Sequence, residues 1–482
     1  MTEARPRSEA ARHWCPASPP ESLAGRPHDH ETVAAERPGE HAEQSVCTYR
    51  RPRGGPLLSP GGPAVDTVYP HCAGLDVHKD TVVACVRHHN GGRRARQEVR
   101  TFATHTRALE ELAAWLAAEG VTHAAMESTG VYWKPVYNVL DGGVTILLVN
   151  AQHIKQVPGR KTDVADCAWI AQLLQHGLLA ASFIPPARQR ELRDLTRQRA
   201  QLGAEQTAVA NRIQKVLEDA NVKLASVATD VLGVSGRAML EAIIAGQEDP
   251  DALADLARRR MRGKIPELRQ ALRGRVTDHH RFLLRLLLDH FDQLGGLIAR
   301  LDGRIAELTA PDAEALALLT TIPGIKEHTA EVLLAEVGPT VDPFPTAGQF
   351  ASWAGLCPGN NESAGKRRTG RTTKGNRWLR QAVVQAGWAA SHSKTTYLGA
   401  RYRRVARRRG AKRALVAVGH TLLVIVYQVL RKREAYRELG ADYYDRLQPE
   451  RLARHLVRRL EQLGHKVTLD ERAAPEPQAH PV

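Results

Sequence analysis

Four acids and one serine are the residues whose types and setting in this chain could do chemistry. Asp76 closes an apolar run in HCAGLDVHKD, Glu127 closes a second in THAAMESTG, and Asp163 and Asp166 lie three apart in GRKTDVADCAWIAQLL. A spacing of three puts both side chains on one helical face. Carboxylates drawn from two strand ends and one helix are hard oxygen donors, the kind that hold Mg²⁺, or Mn²⁺ in its place, beside substrate phosphates. Acids at strand ends and in first helical turns also suit solvent and the helix dipole. No one of the four is therefore diagnostic, and it is the set that points to phosphoryl transfer. The serine is Ser363, in a loop that also carries Lys366, Arg367, Arg368 and Arg371. Most loop serines are turn formers, but a hydroxyl among cations is placed to attack a phosphodiester, because the cations stabilise the developing charge. A nucleotide P-loop is excluded: Gly359 is one residue too far from Gly365, and Arg367 follows Lys366.

The elements that must position these residues follow from hydrophobic period. From Tyr69 the pattern reads strand, short turn, strand, then a strand around Val99 to Phe102 and an amphipathic helix at about His105 to Glu119. A strand to Glu127, a helix from about Val131, the apolar strand Val144 to Val149 and a helix bearing Asp163 and Asp166 complete the series. Three strands, then helix, strand, helix, strand, helix is the order of a ribonuclease H-like (RuvC-like) α/β fold, a mixed sheet covered by helices. Beyond it, Leu195, Leu202, Val209 and Val216 recur every seven residues, and Leu287, Phe291, Leu294, Ile298, Leu301, Ile305 and Leu308 alternate steps of four and three. Both are coiled-coil seams that could pair within the chain or between chains. Gly203, Gly295, Gly296 and Gly303 weigh against the pairing between chains. Leu316 to Val337 reads as a helix-hairpin-helix, in which Lys326 stands where a second glycine would ease phosphate contact.

A chain of 482 residues is too long for one ordinary core. The expected division is a disordered, Pro- and Arg-rich extension over 1–66, a catalytic α/β domain over 67–186 and a helical coiled-coil region over 187–312. A mainly α C-terminal domain over 313–440 and a tail over 441–482 complete it. The net charge of +16 is not spread evenly. Ser363 to Arg433 holds no Asp or Glu but nineteen of the 68 Lys and Arg, so the remaining 49 are fewer than the chain's 52 acids. That block, with Lys374, Arg377 and Arg380 beside the serine loop and Trp378, Trp388, Tyr397 and Tyr402 interleaved, suits a nucleic-acid backbone. Six cysteines show no CxxC pair and read as reduced thiols of a cytoplasmic protein. His88, His89, His279, His280 and His290 lack ligand spacing and read as surface or core residues. No apolar signal segment opens the chain. ALVAVGHTLLVIVYQVL, from Ala414 to Leu430, is short for a membrane span and carries His420, Thr421 and Gln428, so it reads as a buried helix.

GLDVHKD, MESTGVYW, KTDVADCAWIAQLL, IPGIKEHTAEVLLAEVG, FASWAGLCPG and ESAGKRRTGRTTKGNRWLR occur in an order that resembles the bacterial insertion sequence 110 family of transposases, over roughly Cys72 to Leu430. The resemblance implies a RuvC-like DEDD domain in which Asp76, Glu127, Asp163 and Asp166 ligate metal. It also implies a C-terminal domain whose serine, here Ser363, forms a covalent phosphoserine link with double-stranded DNA. It further implies homodimers or homotetramers in which one protomer's metal site meets another's serine domain, with a coiled coil in assembly, and in some members a guide RNA from the element. Three departures stand out: Ala364 where Gly is usual after the serine, Lys326 in the hairpin, and the N-terminal extension. Rival expectations on the same residues are a DNA invertase, a metal-dependent junction nuclease in which water attacks, and a nucleic-acid-binding protein without catalysis.

Overall fold

The computed structural model describes residues 67–89, 95–128, 130–150, 166–359, 361–363, 366–372 and 374–469, with the backbone alone over 361–369. The extension over 1–66, and with it the expectation of disorder, lies outside the described residues, as does Asp163.

Strands β1 (His71–Val77), β2 (Thr81–His88) and β3 (Arg96–Ala103) form an antiparallel meander. Strands β4 (His123–Glu127) and β5 (Thr145–Val149) add in parallel beyond β1, giving the order β3-β2-β1-β4-β5. The parallel connections require helical crossovers, supplied by α1 (Thr106–Ala118) and α2 (Trp133–Leu140). This is the mixed sheet expected from the strand and helix order. Because strand side chains alternate, Ala73, Leu75 and Val77 of β1 and Ala124 and Met126 of β4 all turn to one face. There Leu109, Leu112 and Leu116 of α1 and Trp133, Val136 and Leu140 of α2 bury them.

The opposite face belongs to α3 (Asp166–Gln175), whose Ile170 and Leu174 pack on Cys72, Ala125 and Val149. Gly74 sets its distance from the sheet. A Cβ there would lie 2.1 Å from the Cys167 carbonyl oxygen and 2.4 Å from the Ala171 nitrogen, so only a glycine lets helix backbone rest on strand backbone. Three thiols surround this seat. Cys72 donates to the Ala171 carbonyl at 3.5 Å, and burial pushes it up to about 11. The hydrogen bond with Cys167, followed by burial, raises Cys85.

The two heptad segments are the long helices α4 (Ala187–Asp219) and α9 (Asp278–Thr309), and they pair with each other antiparallel within the chain. Arg199 meets Asp302, Gln206 meets the Phe291 carbonyl, and Asp219 meets His280. The intervening helices α5 (Leu224–Val227), α6 (Val234–Ile244), α7 (Pro250–Asp255) and α8 (Ile265–Ala271) close a shared core on one end of that pair, where Met239, Leu240 and Leu268 are fully buried. Thr277 and His280 form a capping box that starts α9, which gives one of the singled-out histidines a structural role.

A second helical core holds α10 (Ala313–Thr320), α11 (Glu327–Val337), α12 (Ala347–Trp353), α13 (Arg377–Ser391), α14 (Tyr397–Arg409) and α15 (Ala411–Lys432). Among the described residues α15 alone is long and apolar enough to cross a membrane by length and composition. Its Val418, Leu422 and Val426 are fully buried in this core, and its Tyr427 hydroxyl donates to the Phe344 carbonyl at 3.0 Å. Within 441–482, α16 (Tyr443–Leu447) and α17 (Pro449–Gln462) are helical.

Replacing Gly74 by Ala should cost about 3 kcal/mol, the upper end for overpacking, because the obstructing atoms are backbone. Chemical denaturation measures this, and a loss below about 1 kcal/mol would refute the close approach as the feature that seats α3.

Candidate active site and its anchoring

Asp76 and Glu127 follow Leu75 and Met126, the last paired positions of β1 and β4, so they stand side by side at the carboxyl ends of adjacent parallel strands. Leu75 and Met126 point into the α1 and α2 core, so the two acids point to the other face, where Asp166 occupies the first turn of α3. The sheet and the Gly74 contact thus bring three of the four expected acids to one face; the fourth, Asp163, lies outside the described residues. All three are half-buried, and Asp76 Oδ2 lies 3.2 Å from His78 Nε2. An all-oxygen set at the ends of parallel strands fits a hard divalent cation better than a transition metal. Among the described residues, no three His, Cys, Asp or Glu gather tightly enough to enclose an ion on their own.

Ser363 ends strand β6 (Asn361–Ser363), which pairs antiparallel with β7 (Lys366–Thr369). The register sets Ser363 opposite Lys366 and Glu362 opposite Arg367, so the serine lies at the end of the ladder away from the hairpin's base. The hairpin's base is firmly held. Pro358 bridges Thr372, the Gly359 nitrogen donates to the Arg371 carbonyl at 2.8 Å, and a Cβ on Gly375 would lie 2.3 Å from the Gly355 nitrogen. Arg371, Lys374 and Arg377 are exposed around that base, while Arg380 is half-buried on α13.

Directly after the hairpin, Asn376 caps α13, accepting from the Trp378 and Leu379 nitrogens at 3.0 and 3.1 Å. Its amide donates to Glu336 Oε2 at 2.6 Å. Glu336 is 1% exposed, and a buried carboxylate of this kind requires charged partners. Arg197 supplies a bidentate pair at 2.7 and 2.8 Å. Arg193 Nε lies 3.5 Å away and also donates to the Ala335 carbonyl at 2.9 Å. Burial pulls the Arg193 guanidinium down to about 10, against the opposing pull of Glu336. One turn earlier on α11, buried Glu331 receives Arg199 at 2.5 Å, and Arg199 also reaches Asp302. None of these residues was among the expected functional ones. The signal was present, since two glutamates interrupt the apolar helix in AEVLLAEV, but their partners lie 40 to 143 residues away. α10 and α11 are joined by a short turn in which Gly324 has φ +89°, and a Cβ there would meet the Ala386 carbonyl at 2.3 Å. That turn packs against α13.

Two family models match the chain in order. Residues 73–222 match a DEDD domain of the IS110 group described as a transposase, and residues 316–403 match one described as the transposase IS116/IS110/IS902 family. The chain belongs to the IS110 family of transposases. The chain is 24% identical over 300 residues to the transposase for insertion sequence element IS1111A of Coxiella burnetii, covering 61% of this chain and 74% of that protein. It is 28% identical over 318 residues to an uncharacterized 43.6 kDa protein of insertion element IS110 from Streptomyces coelicolor, covering 58% and 73% respectively. A putative transposase of Sinorhizobium fredii is 28% identical over 160 residues, covering 31% and 39%. The first match of this transposase takes in the sheet, α3 and α4; the second takes in α11, the serine hairpin and α13.

Removing the buried charge of Glu336 by substitution with Ala should cost this transposase about 3 kcal/mol, since the partly buried Arg193 and Arg197 would be left without their carboxylate. Asn376→Ala should cost about 1 kcal/mol as a lost cap. Equilibrium denaturation followed by tryptophan fluorescence reads both; equal, small losses would show that Glu336 is not the anchor.

Proposed function

We propose that this IS110-family transposase cuts and rejoins double-stranded DNA through a covalent phosphoserine link at Ser363, at a composite site completed by Asp76, Glu127, Asp163 and Asp166. The observation that carries the reading is the placement of Asp76, Glu127 and Asp166 on one sheet face, together with a serine hairpin fixed at its base in a separate core. The four acids would hold Mg²⁺ or Mn²⁺, which when bound polarises a scissile phosphate and neutralises charge on it.

The residues of the chain divide the work. The Ser363 Oγ attacks phosphorus, losing its proton, and the bond from phosphorus to the 3′ oxygen breaks, leaving a 3′ hydroxyl and a 5′ phosphate joined to the serine. The 3′ hydroxyl of another strand then attacks the same phosphorus and releases the serine. Phosphodiester bonds are conserved, so no external energy source is needed. Lys366, Arg367, Arg368, Arg371, Lys374, Arg377 and Arg380, from the hairpin and the start of α13, draw the phosphate backbone to the serine. Pairing of α4 with α9 within the chain leaves assembly of a homodimer or homotetramer to other surfaces, with one protomer's acids meeting another's hairpin. A guide RNA from the element would be a further polyanionic partner of the basic block, and the cytoplasm is the compartment where DNA and reduced thiols are found together.

The test is incubation of purified protein with labelled DNA spanning its element's junction, its flanking noncoding RNA and Mg²⁺, resolved by denaturing electrophoresis. The wild type is expected to give a protein-DNA adduct, lost entirely in Ser363→Ala and reduced at least a hundredfold in Asp76→Ala, with DNA binding retained in both. Free cleaved ends from Ser363→Ala would assign a nuclease in which water attacks. Binding without cleavage by the wild type would leave a non-catalytic role.

A further inference from the structure

α13 starts where the serine hairpin ends, and one of its faces is not used by the fold. Leu379, Val383, Ala386 and Ala390 are buried in the C-terminal core. On the opposite side Arg377, Gln381, Gln385 and Trp388 are exposed, the tryptophan 45% so, with its ring backed edge-on by His392 at 4.5 Å. At 3.6 residues per turn these four positions fall within an arc of about 80° and span about 16 Å along the axis. No Asp or Glu occurs between Ser363 and Arg433, so nothing in that region opposes the approach of a polyanion.

The chemistry of the face is selective as well as basic. Glutamine, like asparagine, pairs bidentately with the adenine edge, and tryptophan offers an apolar plate for a sugar or a thymine methyl. A helix presenting such groups fits the major groove of B-form DNA, which is about 12 Å wide. The deep, narrow major groove of an A-form RNA duplex does not admit side chains in this way. The hairpin base is pinned by the Pro358–Thr372 bridge, the Gly375–Gly355 contact and the Asn376 cap. A duplex in contact with this face is therefore held at a fixed offset from the hairpin.

Resting on the proposed DNA chemistry, we infer that α13 is a base-reading helix of this transposase: Gln381 and Gln385 read adenine edges of duplex DNA next to the bond that Ser363 attacks, Arg377 holds the adjoining phosphate, and Trp388 covers a sugar or thymine methyl. The protein thereby contributes base preference of its own at the exchange point, whatever a guide RNA adds.

The experiment is a binding selection with the full-length protein, without RNA or divalent cation, on a DNA duplex randomised around the element's junction. The wild type and the double variant Gln381→Ala/Gln385→Ala are compared, with thermal melting to confirm folding. The wild type is expected to enrich adenine at fixed positions and the variant to lose that enrichment by roughly tenfold, while both bind sheared genomic DNA and an RNA duplex of the same length equally well. Enrichment retained by the variant, or no base preference in the wild type, overturns the inference alone. Loss of binding to every sequence together with a change of oligomeric state would reassign the face to a protein contact and overturns it too. A wild type that binds no DNA under these conditions overturns the inference, and the phosphoserine reading is then decided separately by the adduct test with RNA and Mg²⁺.

Discussion

One buried carboxylate holds the C-terminal half of the molecule in register. Glu336 has no exposed side-chain surface, and it is met by Arg193 and Arg197 from α4 and by Asn376 from the residue that begins α13. Three segments far apart in sequence therefore converge on a single charge. Such a charge is tolerated only while its partners stay in place, because desolvation costs several kcal/mol per ion and removal of one partner leaves the other without compensation. The serine hairpin inherits this rigidity. It is two short strands with few residues in their ladder, and two-stranded hairpins are marginal on their own; the capped helix and the glycine contact at its base supply the frame.

The sheet unit obeys a different constraint, one of shape. Asp76 and Glu127 face α3 because β1 and β4 alternate in parallel register, and α3 lies on the sheet because Gly74 has no side chain. The surrounding thiols are small and apolar enough to fill that shallow seat, and burial raises Cys72 while the hydrogen bond with Cys167 raises Cys85. Their role is packing beneath the acids.

How much of this was legible in the sequence differs by distance along the chain. The strand and helix order, the placement of Asp76 and Glu127 at strand ends, and the two heptad seams depend on local period, and the elements lie within a few residues of expectation. Whether the seams pair within the chain or between chains is not a local property. It was decided by the helices between them, which fold back so that Arg237 reaches Asp292 and the α9 seam returns to α4. The Glu336 network was invisible for the same reason, its partners being separated by 139 and 40 residues. The hairpin looks like a loop in the sequence because KRRTGRTT carries no alternation of apolar residues, the usual sign of a strand.

The strength of the contacts along α4 shows where this molecule is stiff and where it yields. On one side of that helix stand the buried pairs to Glu336 and Glu331, and Gln189 donates to the Ala335 carbonyl. On the other side, toward the sheet unit, Lys134 lies 3.7 Å from Asp194, and Arg190 donates to Asn138 and stacks on Tyr137. Surface pairs of that kind contribute about 0–1 kcal/mol each, and the apolar cores of the sheet unit include no residue beyond Ile184 among those described. The start of α4 is thus fixed to the serine half and only lightly tethered to the acid half. Under the proposed chemistry acids and serine would meet at one phosphate, whether from one protomer or two; that calls for compliance at this joint and rigidity within each half, and the buried charges lie where the second is needed.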